Sequence, residues 1–583
     1  MRKFDLLCLA VTVLVTGCAK KELLGTNPES SSSTKNELRL KVNGSPAGDV
    51  VGKLTVGYQG WFAAPGDGSP QNNWVHWAGH STPAPGNQGF ELWPDVREYT
   101  TTFQTGYANL GNGQPAKLFS SYTTQTVNKH FEWMQTYGID CAALQRFGGP
   151  TYDDASIKAH NDGMSLKVKT AAETYGRKFY IMYDVSGWQN MQSVIKSDWT
   201  NTIVGTLNLL SSPAYAKQNG KPVVCIFGMG YLSAPVPGPG DPTACLDVIN
   251  WFKSQGCYVI GSVPMDWRNP NNVFSRNNFA SVYNAFDMLA PWAVGAEVNS
   301  TYQPWIQGDY DYCEAHGIDY QPIAYPGFAW SNWKGGAQNA IPRMHGDFMW
   351  SQASVMKTVG AKSLYIAMFD EYDEGTAIAK AAENASMKPT NQYFLTLDAD
   401  GVAVSSDFYL RLAQDAGKLI KGQIPPQAIH PTPHIIGGAG PIPNGTYKIV
   451  NRNSGLAVDA QAQLTANGTA IDQWTYNGGG NQKWVLTSLG GNIYSIVGVQ
   501  SNRALDVTGQ SVANGALIQL YDNNGGPNQK WEITPTSGGY YTVKGVQSGK
   551  VLDVPAQSTT AGVQLDQWQS DGGTNQQWAF QAP

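Results

Sequence analysis

Charge is scarce in this chain. Asp, Glu, Lys and Arg make up 14% of its 583 residues, and the formal net charge is −5. The Lys and Arg residues do not cluster, so the basic footprint that a phosphate backbone demands is missing and nucleic acid is set aside as a partner. Histidine is rarer still, with eight copies, and no C-x-x-C or His-rich spacing marks a zinc site. No G-x-G-x-x-G follows the first strand-like run, which removes support for a dinucleotide fold. No cofactor is implied. The N-terminal apolar run, "LLCLAVTVLV", is too short to cross a bilayer. What the chain has in quantity is aromatic side chains, with 19 Trp and 28 Tyr. An aromatic, weakly charged surface suits sugars, because a pyranose has an apolar face that stacks on Trp or Tyr.

The N-terminal run follows Arg2 and Lys3 and precedes "VTGC", the layout of an export signal over 1–18. Small residues before Cys18 resemble a bacterial lipobox, which implies cleavage there and lipidation of Cys18. The polar stretch "PESSSSTKNE" reads as part of a flexible tether over 19–49. The expectation is a monomeric, membrane-anchored lipoprotein of the cell envelope, periplasmic or surface-exposed. Among the other cysteines, Cys141 and Cys225 sit in apolar runs and read as small core residues. Cys245 and Cys257 are open to a disulfide.

After residue 440 the chain repeats itself. Asp459, Asp506 and Asp553 are 47 residues apart, as are Trp474, Tyr521 and Trp568, and as are Trp484, Trp531 and Trp578 of the "NQxW" runs. Three copies of short strands with Gly-rich turns predict a threefold β structure over 443–583. The Q-x-W signature resembles that of the ricin-type β-trefoil lectins, also called carbohydrate-binding module family 13. The resemblance implies one sugar site per lobe: Asp459, Trp474 and Asn481 with Gln482; Asp506, Tyr521 and Asn528 with Gln529; Asp553, Trp568 and Asn575 with Gln576. The Q-x-W tryptophans belong to the core, and with no cysteine in this module packing alone must hold it. Pro- and Gly-rich residues 423–442 read as a linker.

Residues 50–422 contain eight short apolar runs: "LTVGYQGWF", "IDCAALQRF", "KFYIMYDV", "KPVVCIFG", "CYVIGSVP", "DMLAPWAV", "DYQPIAYPG" and "SLYIAMFDE". Helix-like stretches lie between them. In "TVNKHFEWMQTYG", Val127, Phe131 and Met134 share a face, and Gly138 ends the pattern. Near-continuous apolar strands alternating with helices predict an α/β fold with a parallel sheet covered on both faces. Eight such units predict a (β/α)8 TIM barrel. A doubly wound open sheet is the alternative.

Barrel active sites lie at the C-terminal ends of the strands. There the runs end in Tyr58, Gln59 and Trp61; in Gln145 and Arg146; in Tyr183 and Asp184; in Asp266, Trp267 and Arg268; in Trp292; and in Tyr325. Together they describe an aromatic cup with a few charges, and Tyr58, Trp61, Arg146, Tyr183, Asp184, Asp266, Trp267, Arg268, Trp292 and Tyr325 are candidate substrate ligands. The eighth run ends in "FDEYDEGT", which carries Asp370, Glu371, Asp373 and Glu374 around Tyr372. Close carboxylates raise one another's pKa. A protonated acid beside an ionised base is what glycoside cleavage requires. Glu371 and Glu374 are the candidate catalytic pair, with Asp370 and Tyr372 as neighbouring substrate contacts. Asp370 and Asp373 are also candidates for holding an arginine or the backbone. A solvated acidic loop and a site for a hard cation such as Ca²⁺ are the alternatives.

"FDEYDEGT" resembles the carboxylate–aromatic–x–Glu signature of glycoside hydrolase family 99, the endo-α-mannosidases, and of the related family 71, the α-1,3-glucanases. "GYQGWFAAPGDGS", "HFEWMQTYGID", "FYIMYDVSGW" and "QPIAYPGFAWSNW" are similar to the broader family 71/99-like group. The resemblance implies that Glu374 protonates the leaving oxygen and later activates water. It implies that Glu371 is the base, taking a proton from the 2-hydroxyl of a mannose so that O2 attacks the anomeric carbon. Tyr372 stands where that family has Trp, and Asp373 where it has His. On a gluco-configured sugar Glu371 would act on water directly. The chain thus reads as a secreted, lipid-anchored glycoside hydrolase of α-linked, α-mannan-like glycans, delivered to polysaccharide or oligosaccharide by its lectin module. Hydrolysis of α-glucan or of pentose-containing plant glycans, and glycan capture without cleavage, are the alternatives.

Overall fold

The computed structural model describes residues 44–583 apart from 149–153, 189, 233–237, 270–272, 435–441, 443, 491 and 537–538. The signal, Cys18 and most of the tether lie outside the described residues. All eight apolar runs form strands, each followed by helix. In chain order these are β1 (Leu54–Tyr58), α1 (Thr124–Thr136), β2 (Cys141–Phe147), α2 (Ala155–Tyr175), β3 (Lys178–Asp184), α3 (Met191–Ser197), β4 (Lys221–Phe227), α4 (Pro242–Ser254), β5 (Tyr258–Ser262), α5 (Ala280–Tyr283), β6 (Met288–Leu289), α6 (Tyr302–His316), β7 (Asp319–Tyr320 and Ile323–Ala324), α7 (Ser331–Lys334), α8 (Asp347–Thr358), β8 (Leu364–Ile366) and α9 (Phe408–Ile420).

Every barrel strand pairs in parallel with its neighbours, and β8 pairs back onto β1 through Leu54 and Leu364. The ring closes through β7. Its first half pairs with β6, Asp319 opposite Met288, and its second half pairs with β8, Ile323 opposite Tyr365. Between the halves, Gln321 donates its N–H to the Leu289 carbonyl at 2.9 Å, and Pro322 accepts from the Tyr365 N–H at 3.0 Å. Proline is tolerated there because only its carbonyl is needed for the ladder. This is a closed (β/α)8 barrel. Every residue of β1 and β5 is buried, as expected when helices cover one face and side chains fill the other. On α1, Thr123 caps the first turn, Val127, Phe131 and Met134 are fully buried, and Gly138 takes a φ of +66° that ends the helix.

The C-terminal module holds twelve short antiparallel strands from Gly445–Asn451 to Trp578–Gln581, and the last pairs with the first. Trp484, Trp531 and Trp578 have no exposure. Their indole N–H groups donate to the carbonyls of Val458, Leu505 and Leu552 at 3.0, 3.0 and 3.1 Å. One buried tryptophan per repeat thus ties each lobe to the shared core.

Two segments expected to be flexible are docked in part. Ser45, within the tether, donates its N–H to Asp319 at 2.8 Å. Within the linker, Gln427 accepts from the Trp350 indole at 2.9 Å and Thr432 donates to Asp415 at 2.8 Å, so residues up to His434 run along α8 and α9. Cys245 and Cys257 are both buried and free, like Cys141, Cys225 and Cys313. No described helix is long and apolar enough to cross a membrane.

Trp531→Ala removes both a core side chain and a lobe tie. It is expected to cost about 3–5 kcal/mol, read as a lower denaturation midpoint by circular dichroism.

Candidate functional site

The acidic turn leaves β8 and is held at one end by a side chain of its own and at the other by its backbone. Asp370 has no exposure and accepts the N–H groups of Gln59 and Gly60 at 2.8 and 2.9 Å, which couples the end of β8 to the end of β1. Arg343, in the segment before α8, donates to the carbonyls of Gly375 and Ala377, both at 2.7 Å, with its guanidinium 4.4 Å from the Tyr409 ring centre. The turn is therefore neither a solvated acidic loop nor free to spread its charges.

Between these clamps lie the acids. Glu371 is 3% exposed and accepts from Gln59 Nε2 at 2.8 Å and from the Asp373 N–H at 3.0 Å. Asp373 is bonded to His76 Nδ1 at 2.7 Å. The His76 ring lies flat on Trp61, centroids 3.7 Å apart, and Trp61 in turn stacks on Phe147. Glu374 is partly exposed. Among the described residues, neither Glu371 nor Glu374 has a lysine or arginine within ion-pair distance. Burial lifts the Glu371 carboxyl well above the usual range, and the charges of Asp373, Glu374 and Asp370 add to it. Asp373 is raised for the same reasons. Burial also pushes Asp370 to about 6 and Glu374 to about 7, the latter against an opposing pull from Lys334. Burial lowers His76 to about 3. The cluster thus holds a proton near neutrality. No group of three His, Cys, Asp or Glu among the described residues is arranged to hold a metal ion.

Several expected substrate ligands are core residues instead. Tyr58 is buried and bonded to His130 at 3.0 Å. Arg146 is held by Asp198 at 2.6 and 2.7 Å and by Asp162 at 2.7 Å, and Tyr183 donates to the same Asp198. Tyr325 donates to the Ala296 carbonyl, and Tyr372 to that of Lys380. Trp267 packs edge-on against Tyr283 and Tyr312. Asp370 is spent on backbone. A strand-end position does not reveal which way a side chain points, and these point inward. Trp61 and Trp292 are partly buried, and Asp184 is partly exposed while accepting from the Ser186 N–H. Asp266 and Arg268 line a separate cavity of about 310 Å³ with Trp305 and Asp309. The functional neighbours missed in the sequence are His76, Lys334 and Arg343. His76 is 297 residues from its partner, so no spacing could reveal it.

In the C-terminal module each repeat carries a buried aspartate on one strand and an exposed ring on the strand paired with it. Trp474, Tyr521 and Trp568 are 44, 41 and 44% exposed. Asn481, Asn528 and Asn575 donate to Asp459, Asp506 and Asp553 at 2.7, 2.7 and 2.8 Å. Residues 436–521 and 527–582 match the family model described as ricin-type beta-trefoil lectin domain-like. The C-terminal module is a ricin-type β-trefoil lectin-like domain. Over 24% of this chain and all of its own, a designed threefold-symmetric protein, ThreeFoil, is similar at 40% identity and a TM-score of 0.24. An exo-beta-1,3-galactanase from Clostridium thermocellum is similar at 39% identity over 27% of this chain and 34% of its own, with a TM-score of 0.24. The GH99 endo-alpha-mannosidase from Bacteroides thetaiotaomicron is similar over 64% of this chain and 98% of its own, at 15% identity and a TM-score of 0.45. No curated protein matches.

The lobes of the trefoil are unequal. The Q-x-W glutamines are structural in part: Gln482 spans Thr475 and Asn477, whereas Gln529 and Gln576 also donate to Asp506 and Asp553 at 2.9 Å. In the second lobe Gln519 donates to Asp506 as well, so both oxygens of that carboxylate are engaged. The first and third lobes carry Asp472 and Asp566 at that position, each raised to about 7 by burial and by the neighbouring aspartate. Each second acid lies opposite the aspartate of its lobe in the strand register, so once protonated it has a proton to donate toward it, and Asp566 is bonded to Asp553. Retention on polysaccharide through lobes one and three is expected to weaken as pH falls below about 7. A variant with Asp459→Ala and Asp553→Ala, relying on lobe two, should show no such dependence in affinity electrophoresis.

The acidic turn has a stability signature of its own. A carboxyl whose pKa is raised by folding stabilises below its ordinary value and loses that contribution as pH rises through the folded value. For Glu374 the window runs from 4.5 to about 7. The Tm of Glu374→Gln should therefore gain on that of the unsubstituted protein across this window and stay level outside it.

Proposed function

We propose that the barrel is a glycoside hydrolase acting on α-linked glycans, and that the trefoil holds the same polysaccharide. The supporting observation is the pair Glu371 and Glu374 at the C-terminal end of β8, one buried and one partly exposed, with no lysine or arginine within ion-pair distance among the described residues and with the Trp61–His76 stack alongside Asp373. The Gln59 amide opposes the rise that burial and the neighbouring carboxylates impose on Glu371, and the resemblance to family 99 assigns this residue as the base. Glu374 is the more exposed, and its proton can reach a departing glycosidic oxygen. As that C–O bond breaks, Glu374 gives its proton to the leaving oxygen. Glu371 takes one either from the sugar's 2-hydroxyl or from the water that attacks the anomeric carbon.

The two departures from the family 99 signature do not decide the sugar. Tyr372 faces the core, and Asp373 reaches away to His76. α-Mannan therefore stands first among the polymers to test, with α-1,3-glucan and pentose-containing plant glycans next. We further infer that the chain is exported and tethered through lipidated Cys18, which keeps enzyme and lectin at one membrane surface.

Released reducing sugar from a polysaccharide panel tests the activity, and silence across it would leave a capture protein. Glu371→Gln and Glu374→Gln should each lower turnover by about a thousandfold. The roles separate with an activated aryl glycoside, whose leaving group needs no acid. Glu374→Gln should recover on it and Glu371→Gln should not. With the polymer, the rate should fall above about pH 7 as Glu374 loses its proton.

A further inference from the structure

We propose that the turn after β7, residues 328–334, is a sugar-stacking subsite formed by Trp330 and Trp333, and that it binds a glycan extending past the bond cleaved at Glu374. The inference rests on the preceding reading that the barrel cleaves a glycan at Glu374.

Exposed tryptophan is confined to two places among the described residues. One is the trefoil, at Trp474 and Trp568. The other is this turn, where Trp330 and Trp333 are 37 and 41% exposed. The remaining barrel tryptophans are buried or partly buried, as in an ordinary core. A surface that leaves two indoles open within four residues has left apolar area for a partner.

The turn sits at the acid pair. It leaves β7, the strand beside β8, so it rises from the same mouth of the barrel as Glu371 and Glu374. The Ala329 N–H donates to the Glu374 carbonyl at 3.0 Å. Lys334, at the end of the turn, stands 4.0 Å over the Trp333 ring and acts electrostatically on Glu374. The ammonium fills one face of Trp333 and gives the neighbouring space a donor for sugar hydroxyls.

The turn is also built rather than loose. Glu91 has no exposure, and its carboxylate accepts from Ser331 Oγ at 2.7 Å and from the Asn332 N–H at 2.8 Å. Asn332 Nδ2 donates to the carbonyls of Phe90 and Tyr393 at 3.1 and 2.9 Å. Phe328 packs edge-on against Trp330, centroids 5.0 Å apart. A buried acid given over to holding an exposed aromatic turn is preorganisation, which lowers the cost of ordering on binding. Neutral indoles beside a single cation fit the apolar face of a pyranose, and two of them in one turn fit consecutive units of a chain. Cleavage within a polymer follows from such an extended contact.

The test uses the full chain carrying Glu371→Gln, so that polymer is not cut, and Asp459→Ala, Asp506→Ala and Asp553→Ala, so that the trefoil is silent. Affinity electrophoresis in gels containing soluble α-mannan, α-glucan or arabinoxylan reads the barrel alone. At least one polymer is expected to retard this parent. Adding Trp330→Ala and Trp333→Ala should weaken that retardation at least tenfold, while Met344→Ala, at another exposed apolar residue, should leave it unchanged. Equal retardation of parent and double variant overturns the proposal, and so does a parent that no polymer retards. In that last case, turnover of an activated aryl α-glycoside by the unsubstituted protein tells a missing subsite from a barrel that is not a hydrolase.

Discussion

Two backbone N–H groups, those of Gln59 and Gly60, meet the Asp370 carboxylate at 2.8 and 2.9 Å, and the geometry of the acidic turn depends on that contact. Charge-assisted bonds of this kind are among the stronger ones a fold can use. Here they bind the last barrel strand to the first at the mouth, where the parallel ladder has already ended. They also decide how the other acids face. With Asp370 pinned inward and Arg343 gripping the carbonyls of Gly375 and Ala377, the residues between turn on a fixed frame. The clamp engages backbone and one sacrificial carboxylate, and among the described residues it leaves Glu371 and Glu374 without a cation within ion-pair distance. A guanidinium on either would favour the ionised form and work against the raised pKa of both.

The same economy of charge runs through the molecule. Arg146 is satisfied by two aspartates deep beside β2 and β3, and Arg268 by Asp309. These two guanidiniums are matched by acids, whereas Arg343 meets carbonyls and the Tyr409 ring. In the trefoil each lobe pairs a strand carrying a buried carboxylate with one carrying an open ring. The two modules are alike in chemistry though they share no fold, and on the proposed reading the trefoil raises the local concentration of substrate at the acids.

Folding and chemistry pull against one another at Glu371. Burying four carboxyls in five positions costs stability once they ionise, and the cost is confined by the bonds from Gln59 and the Asp373 N–H and by the pairing of Asp373 with His76. The His76 ring, stacked on Trp61, turns the fourth acid aside. One carboxylate of the cluster serves as anchor, one is turned to an imidazole, and two are the pair proposed for the reaction.

The order of eight apolar runs and helices was legible in the sequence because burial on both faces of a parallel strand demands continuous hydrophobicity, and the 47-residue period was legible because each lobe must supply the same core tryptophan. The acidic turn could be read for a similar reason: four carboxylates in five positions have no structural use in an exposed loop. Which side chains face the mouth could not be read. Tyr58, Tyr183 and Tyr325 end strands as Trp61 nearly does, yet they turn inward, because at a strand end the pleat no longer dictates the face and the local packing does. His76 reaches Asp373 across 297 residues, and Glu91 holds Ser331 across 240. Contacts of that range exist only once the barrel has closed, so local pattern determined the framework and the closed ring alone decided the site.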